Sequence, residues 1–230
     1  MDYYSLWYDV FGLLDAKTRL MFVMVCKTVS KHFLITELSK KDMKCLNRLC
    51  TIPTVSILKN LQILYAGGET RITQRLINKL DLVELNVSSN PQIKTLSHMK
   101  LLKKLKADYD VCGIDQNGIR ELQLVYFSAN NPRIKDVSFM QHLKILYAES
   151  SSGIDQNGIM GLDLTEFYAR GNYKINNVSF MRNLKILDAS IYCGINQKGI
   201  IGLDLIELNA WQIIFLNVSY VKRHEFFYYS

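Results

Sequence analysis

The sequence predicts an α/β solenoid, in which short parallel strands stack into a curved sheet and irregular or 3₁₀ turns cover the convex side. Three observations predict it: a 41-residue repeat, a leucine spacing that recurs every 19 to 22 residues, and a helical pattern near the amino terminus. A single repeat cannot bury its own apolar side, so neighbouring repeats stack and share one continuous core.

The long repeat is visible as a copied heptapeptide. Gly-Ile-Asp-Gln-Asn-Gly-Ile occurs at 113–119 and at 153–159, and Gly-Ile-Asn-Gln-Lys-Gly-Ile occurs at 194–200. The Asp-Gln-Asn-Gly part lacks the distal Glu and the further ligands that a calcium loop requires. Because Asn-Gly tolerates positive φ, we interpret the motif as a turn between strands.

Each 41-residue unit contains two copies of the pattern Leu-x-x-Leu-x-(Ala/Val), with Phe replacing the second Leu twice. In a strand, alternate residues of this pattern point into the coil. Spacing and pattern resemble the leucine-rich-repeat family, with Asn90, Asn131 and Asn172 in the slot that bonds loop backbone between coils. The copies begin at Leu61, Leu82, Leu102, Leu124, Leu143, Leu164, Leu184 and Leu205.

The repeats divide the chain into four parts. Residues 61–221 hold eight repeats, which group into four double repeats, and residues 43–60 are expected to form a degenerate first coil. The basis for that coil is Val-Ser-Ile-Leu at 55–58, which lies one double repeat before Leu-Ser-His-Met at 96–99. Residues 1–42 are predicted to be a helical module, and the aromatic residues 222–230 to cover the last coil.

The helical module resembles the F-box motif through Asp-Val-Phe at 9–11, Leu-Leu-Asp at 13–15 and Val-Cys-Lys at 25–27. In F-box proteins with leucine-rich repeats, the F-box docks on a Skp-type adaptor of a cullin-RING ubiquitin ligase and the repeats hold a protein substrate. Regular repeats joined to an F-box also resemble proteins of giant DNA viruses. The resemblance assigns adaptor binding to Leu6, Val10, Phe11, Leu14, Leu20, Val25, Cys26 and Lys27.

A second hypothesis needs no ubiquitin ligase. In that case the chain is a stand-alone scaffold for protein interactions, and its first fifty residues only close the open end of the repeat core. Both hypotheses place the protein partner on the concave face, at positions beside the buried leucines. The candidate contacts there are Tyr65, Glu84, Lys104, Lys106, Tyr126, Tyr147, Glu166, Tyr168, Arg170, Asp188, Glu207 and Trp211.

The charges of this face argue against nucleic acid, although the whole chain carries a net charge of +7. Six acidic residues and three basic ones fall on the face, and phosphate binding needs the reverse balance. Tyrosine and tryptophan dominate the binding energy of protein interfaces, which favours a protein partner. The alternative is that these aromatic residues only pack against their neighbours in the sheet.

The sequence gives no sign of an enzyme. The four histidines show no metal-ligand spacing, and no nucleophile elbow, Walker loop or dinucleotide fingerprint is present. We therefore expect no catalytic residue, no metal and no cofactor. No apolar run approaches the ~20 residues of a membrane span, and the start lacks a secretory signal pattern. We expect no membrane contact and an intracellular, cytoplasmic protein, in the host cytoplasm if it is viral.

Overall fold

A computed structural model describes residues 13–14, 18–19, 35–48, 58, 60–68, 70–211 and 223–224. These residues form an open sheet of ten parallel strands whose spatial order follows the sequence order. Each strand hydrogen-bonds to the strand before it and the strand after it in the chain. The α/β class and the parallel sheet predicted from the repeats are thereby confirmed.

The strands are short and evenly spaced. Most have three residues, as the Leu-x-x-Leu spacing predicts, because the chain turns away after the second leucine. The strands are β1 Glu37–Leu38, β2 Ile63–Tyr65, β3 Glu84–Asn86, β4 Lys104–Lys106, β5 Tyr126–Ser128, β6 Ile145–Tyr147, β7 Glu166–Tyr168, β8 Ile186–Asp188, β9 Glu207–Asn209 and β10 Arg223–His224.

Helical segments occur on the return path of some coils. One helix, α1, spans Lys40–Arg48, and two single-turn helices follow at α2 Gln74–Ile77 and α3 Gln116–Ile119. Two 3₁₀ segments, η1 Asn157–Ile159 and η2 Gln197–Ile200, occupy the same place in later coils. The prediction of short 3₁₀ or irregular turns therefore holds for η1 and η2, whereas α2 and α3 close the same turn with α-helical bonds.

The register of the sheet places the second leucine of each repeat opposite its equivalent in the next. Leu64 pairs with Leu85, and Leu85 pairs with Leu105. These central residues are at most 5% exposed, and they belong to one continuous apolar core that runs from Ile35 to Ala210. At ~25 cal/mol per Å² of apolar surface removed from water, this shared core is the main source of stability.

In alternate coils, a buried asparagine forms hydrogen bonds with loop backbone, as predicted. Asn90 donates from Nδ2 to the carbonyl oxygens of Ala66 (2.6 Å) and Ile72 (3.1 Å), and its Oδ1 accepts from the Gln92 N–H. Asn172 makes equivalent bonds, Asn131 donates to the Ile114 carbonyl and accepts from the Arg133 N–H, and all three are 0% exposed. Because buried backbone groups need partners, each asparagine fixes the loop of the preceding coil.

The copied heptapeptide contains a single helical turn, and the aspartate at its third position accepts hydrogen bonds from the N–H groups at the start of that turn. The Asp155 carboxylate accepts from the N–H groups of Asn157 (2.9 Å) and Gly158 (3.1 Å). Gly158 does not have a positive φ, so the reason we gave for the glycine is wrong. A Cβ at Gly158 would lie 2.0 Å from the carbonyl oxygen of Lys135, so glycine is required by the close approach of two coils.

The glutamine of the heptapeptide ties neighbouring coils together, a role the sequence analysis missed. Gln116 Oε1 accepts from the N–H groups of Lys135 and Asp136, and its Nε2 donates to the Asp136 carbonyl. Gln74 and Gln156 make the same three bonds one double repeat earlier and later. The repeated glutamine thus satisfies the backbone of the next coil on the side opposite the sheet.

The predicted boundary between the helical module and the first coil differs from the structure. Strand β1 lies inside the range 1–42 that was assigned to the helical module, and α1 runs across the boundary at 42/43. Ile35 and Leu38 are buried in the common core, and Leu38 aligns with Leu64. The first coil therefore begins near residue 35, with Ile-x-x-Leu at 35–38 as a degenerate copy of the leucine pattern.

Several predictions fall outside the described residues. Of the F-box-like positions, only Leu14 is described: it is half-buried, and its carbonyl oxygen accepts from Arg19 Nε at 2.7 Å. Of the aromatic carboxy-terminal cap, only β10 is described. Within the described part of the chain, no helix is long and apolar enough to cross a membrane. The remaining adaptor-binding positions, Leu6, Val10, Phe11, Leu20, Val25, Cys26 and Lys27, lie outside it.

Candidate functional site

The twelve predicted contact residues all lie beside the buried residues of the strands, on the side of the sheet that faces away from the core. We call this surface the sheet face: the residues of β1–β9 that alternate with the buried ones, together with Lys40 and the positions two residues beyond each strand. None of the twelve is buried. Lys104, Lys106, Arg170 and Glu207 are exposed, and the other eight are half-buried.

A row of three tyrosines crosses the centre of the sheet face. The rings of Tyr147 and Tyr168 lie parallel, with centroids 4.1 Å apart and an interplanar angle of 7°. Tyr126 lies 5.6 Å from Tyr147, tilted by 44°. The parallel register of β6 and β7 produces the stack, because it sets Tyr147 directly opposite Tyr168. We call these three residues the tyrosine stack.

Two members of the tyrosine stack, Tyr126 and Tyr168, have hydroxyl groups that stay protonated. Burial and the neighbouring Tyr147 raise the pKa of Tyr126 to about 12. Burial also raises the pKa of Tyr168, and so does the hydrogen bond that its hydroxyl donates to Glu166 Oε2 at 3.0 Å. The hydroxyls of Tyr126 and Tyr168 therefore act as neutral donors and acceptors at physiological pH, and neither is an activated base.

A recess of about 360 Å³ opens at the amino-terminal end of the sheet face. Its charged lining consists of Glu37 and Glu84 with the three lysines Lys40, Lys104 and Lys106. Glu84 pairs with Lys104 at 3.6 Å, and no carboxylate of the described residues lies within salt-bridge distance of the other two lysines. Instead, Lys40 Nζ lies 5.7 Å from the centroid of the Tyr65 ring, and Lys106 Nζ lies 5.8 Å from that of Tyr126.

Four carboxylates lie near the tyrosine stack, and we call them the acidic patch: Asp108, Glu149, Glu166 and Asp188. Neutral groups of the protein hold each of them. Asp108 accepts from the Ser128 hydroxyl at 2.7 Å and from the Asn130 N–H at 3.0 Å. Asn130 also donates from Nδ2 to Glu149 (3.2 Å), Asp188 accepts from the Ser190 N–H (2.9 Å), and Glu166 accepts from Tyr168.

The acidic patch is not neutralised by the rest of the described chain. None of its four carboxylates has a lysine or arginine nitrogen within 4.0 Å among the described residues. Burial raises the pKa of Glu149, the charges of Asp188 and Asp108 raise it further, and Arg170 opposes them. The protein therefore holds negative charge close together on a half-buried surface, and neutral hydrogen bonds keep it in place.

Sequence reasoning placed the charged and aromatic residues on the correct side of each strand but missed two groups. It missed Lys40 and Glu37, because the degenerate Ile-x-x-Leu pattern that places them was not recognised. It also passed over Ser128 and Asn130, which carry no charge but position the acidic patch. Their signal was available in principle, since both occupy the same columns as Lys106 and Asp108.

The described residues were compared with the requirements of a metal site and of a reactive thiol. They contain no group of three or more His, Cys, Asp or Glu side chains that could hold a metal ion. Cys112 and Cys193 are buried, and their thiols contact the carbonyl oxygens of Val87 and Asn172. Burial raises the pKa of both thiols, so both stay protonated and poorly nucleophilic. They pack as small apolar residues.

Comparison of the chain with protein-family models, with curated proteins and with solved structures finds no match.

Proposed function

We propose that this chain is a non-enzymatic protein of the leucine-rich-repeat type that binds a protein partner on its sheet face. The observation that supports this most is the tyrosine stack with its surrounding charged residues. Stacked, half-buried tyrosines offer a large contact area whose side chains are already ordered, so binding loses little conformational entropy. A surface that served only to close the core would not need charged side chains held in a hydrogen-bonded network.

A protein partner fits this face better than a nucleic acid. Nucleic-acid affinity comes mostly from lysine and arginine contacts to phosphates. On the sheet face, the acidic patch surrounds the aromatic residues, and Lys104 is paired with Glu84. Phosphates near the tyrosine stack would meet like charges held by the protein.

We further propose that the segment 1–34 docks a Skp-type adaptor, which would make the protein a substrate receptor of a cullin-RING ubiquitin ligase in the cytoplasm. The support is the F-box-like pattern Asp-Val-Phe at 9–11 with Val-Cys-Lys at 25–27. The stand-alone scaffold is the second candidate. In that case the segment 1–34 only closes the amino-terminal end of the core. Strand β1 and helix α1 extend that core back to residue 35.

The partner-binding function is tested by affinity purification of the full chain beside the double variant Tyr147→Ala/Tyr168→Ala. We expect a specific set of proteins to co-purify with the unchanged chain and to be lost from the variant. Urea unfolding of both chains serves as the control, since both side chains are half-buried on the face and not in the core. Identical sets of proteins from two folded chains would contradict the proposal.

The adaptor function is tested separately by co-expression with a Skp-type adaptor. We expect a stable complex with the full chain, and no complex with the double variant Val10→Asp/Lys27→Glu. The Tyr147→Ala/Tyr168→Ala variant is the matched control and should still bind the adaptor. Absence of a complex with the unchanged, folded chain would favour the scaffold. A deletion of 1–50 is unsuitable, because it would remove β1 from the sheet.

A further inference from the structure

The sheet face divides into two unlike halves. The half formed by β1–β4 contains the recess, where three lysines are paired with a glutamate or placed over tyrosine rings. The half formed by β5–β8 contains the whole tyrosine stack and three members of the acidic patch, and Asp108 borders it. Arg170 is the one basic residue of the sheet face on β5–β8 and in the positions that follow these strands.

From this division we propose that β5–β8 bind a basic segment of the protein partner, whose lysine or arginine side chains contact the acidic patch and lie against the tyrosine stack. The inference rests on the proposed protein-binding function and names the chemistry of the partner. The argument for a basic segment is charge complementarity, because opposite charges across an interface select the partner and align it.

The carboxylates are arranged to receive a cation from outside the chain. Their hydrogen bonds come from hydroxyl, amide and backbone N–H groups, which orient the oxygens without cancelling the charge. Acceptor positions remain, because each carboxylate offers about four lone-pair sites. A lysine or arginine of the partner would supply the missing charge and form charge-assisted bonds, which are about twice as strong as neutral ones.

The tyrosine stack adds a second contribution. Cations bind over aromatic rings within about 6 Å, and the chain uses this contact itself, since Lys106 lies over Tyr126. Among the described residues, no cation lies over Tyr147 or Tyr168. Tyr147 lies between the rings of Tyr126 and Tyr168, so a cation of the partner would lie over the outer face of Tyr168, beside Glu166 and Asp188.

The acidic patch also argues against an acidic partner on the same strands. Burial and two like charges already raise the pKa of Glu149, so a further negative charge nearby would be repelled. An acidic segment would be directed to the lysines of the recess instead. Strands β1–β4 are thus expected to prefer acidic segments and β5–β8 to prefer basic ones. A single selection experiment can distinguish the two preferences.

The experiment is selection of a random twelve-residue peptide library, displayed on phage, against the immobilised full chain. We expect the enriched peptides to carry a net positive charge. Synthetic copies should bind the double variant Glu149→Gln/Asp188→Asn about tenfold or more weakly. Both substitutions keep an oxygen that can accept the hydrogen bonds from Asn130 and Ser190, and Asp188→Asn loses the 3.4 Å bond from Asn209 Nδ2. The fold should be retained, and a thermal melt checks this.

The matched control is Asp81→Asn/Glu121→Gln, which changes the net charge equally at two exposed positions away from the sheet face. It should alter affinity less than twofold. Enriched peptides that are acidic or neutral, but are lost from Tyr147→Ala/Tyr168→Ala, would overturn the charge preference and leave the proposed function standing. Peptides unaffected by every sheet-face variant, or no enrichment at all, would overturn the inference and count against the proposed function.

Discussion

The two sides of each strand obey different constraints. On the core side, the central residue is Leu or Phe in every strand from β2 to β9, because each must fit between identical neighbours above and below. On the sheet face, the flanking residues change from one strand to the next, from Lys104 to Tyr126 to Ile145. Stacking therefore fixes one side of the strand and leaves the other free to acquire specificity.

The same contrast extends to the turns opposite the sheet. Gly118, Gly158 and Gly199 recur because backbone from the preceding coil lies against each of them. On the sheet face, Gly67 has a comparable contact, since an added Cβ would lie 2.8 Å from the carbonyl oxygen of Ser88, but the equivalent positions of the other coils carry varied residues. Repeated residues thus mark positions that stabilise the coil, and varied residues mark positions available for binding.

Among the turn residues opposite the sheet, the largest expected effect is that of Gly158→Ala. The added Cβ would lie 2.0 Å from the carbonyl oxygen of Lys135, so two coils must move apart. We expect a loss of about 3 kcal/mol in the free energy of unfolding, measured by urea titration. Asn157→Ala is the matched control in the same turn, because its side chain is exposed, and it should lose little. Equal losses in the two variants would show that the close approach of Gly158 to Lys135 does not determine the stability of this turn.

A smaller effect is expected for Asn172→Ala. The substitution removes the bonds to the carbonyl oxygens of Ala148 (2.8 Å) and Ile154 (3.1 Å) and leaves the Lys174 N–H without its acceptor. Buried groups without partners are costly, so we expect a loss of about 2 kcal/mol in thermal or urea unfolding. Asn176→Ala, at an exposed position, is the control. If Asn172→Ala left the free energy of unfolding unchanged, the hydrogen bonds of this asparagine would not contribute to stability.

The smallest expected effect is that of Glu149→Gln on the sheet face. This substitution should raise the free energy of unfolding at pH 7, whereas the two preceding ones lower it. The pKa of Glu149 is raised above 4.5 in the folded protein, so the folded state holds this proton more tightly than the unfolded chain does. The unchanged protein should therefore lose stability as the pH rises from below 4.5 to above the raised pKa. Glu149→Gln should be more stable than the unchanged chain at pH 7, and the difference should vanish at low pH.

Glu121→Gln provides a control of opposite sign for that experiment. Its pKa is lowered by the hydrogen bond and charge of Lys100, so the carboxylate is favoured in the folded state at pH 7. Replacing it should lower stability slightly at pH 7, and the difference should decline as the pH falls through its pKa values. If Glu149→Gln behaved like Glu121→Gln, the acidic patch would not hold unfavourable charge.

The sequence predicted the periodic part of this molecule well. Leucine spacing located β2 to β9, and alternation within each strand sorted Leu146 to the core and Tyr147 to the face. Periodicity carries this information because every coil repeats the same contacts. The asparagines at the strand ends were predictable for the same reason, since each satisfies a backbone arrangement that recurs.

The parts that differ from the repeat were harder to predict. Strand β1 was missed because Ile-x-x-Leu at 35–38 precedes the first full copy, at Leu61, by more than any interval between later copies. The network of Ser128, Asn130 and Asp108 was missed because it depends on which side chains meet between two neighbouring strands. No local pattern encodes such a meeting, so it required the register of the sheet.

The most direct test of the central claim compares two adjacent residues on opposite sides of β6. Leu146 is 0% exposed in the core, whereas Tyr147 is half-buried on the sheet face. Urea unfolding of Leu146→Ala should show a loss of about 2–5 kcal/mol from lost packing and a cavity, and Tyr147→Ala should lose much less. Equal losses, or a greater loss at Tyr147, would contradict the assignment of stability to one side of the strand and binding to the other.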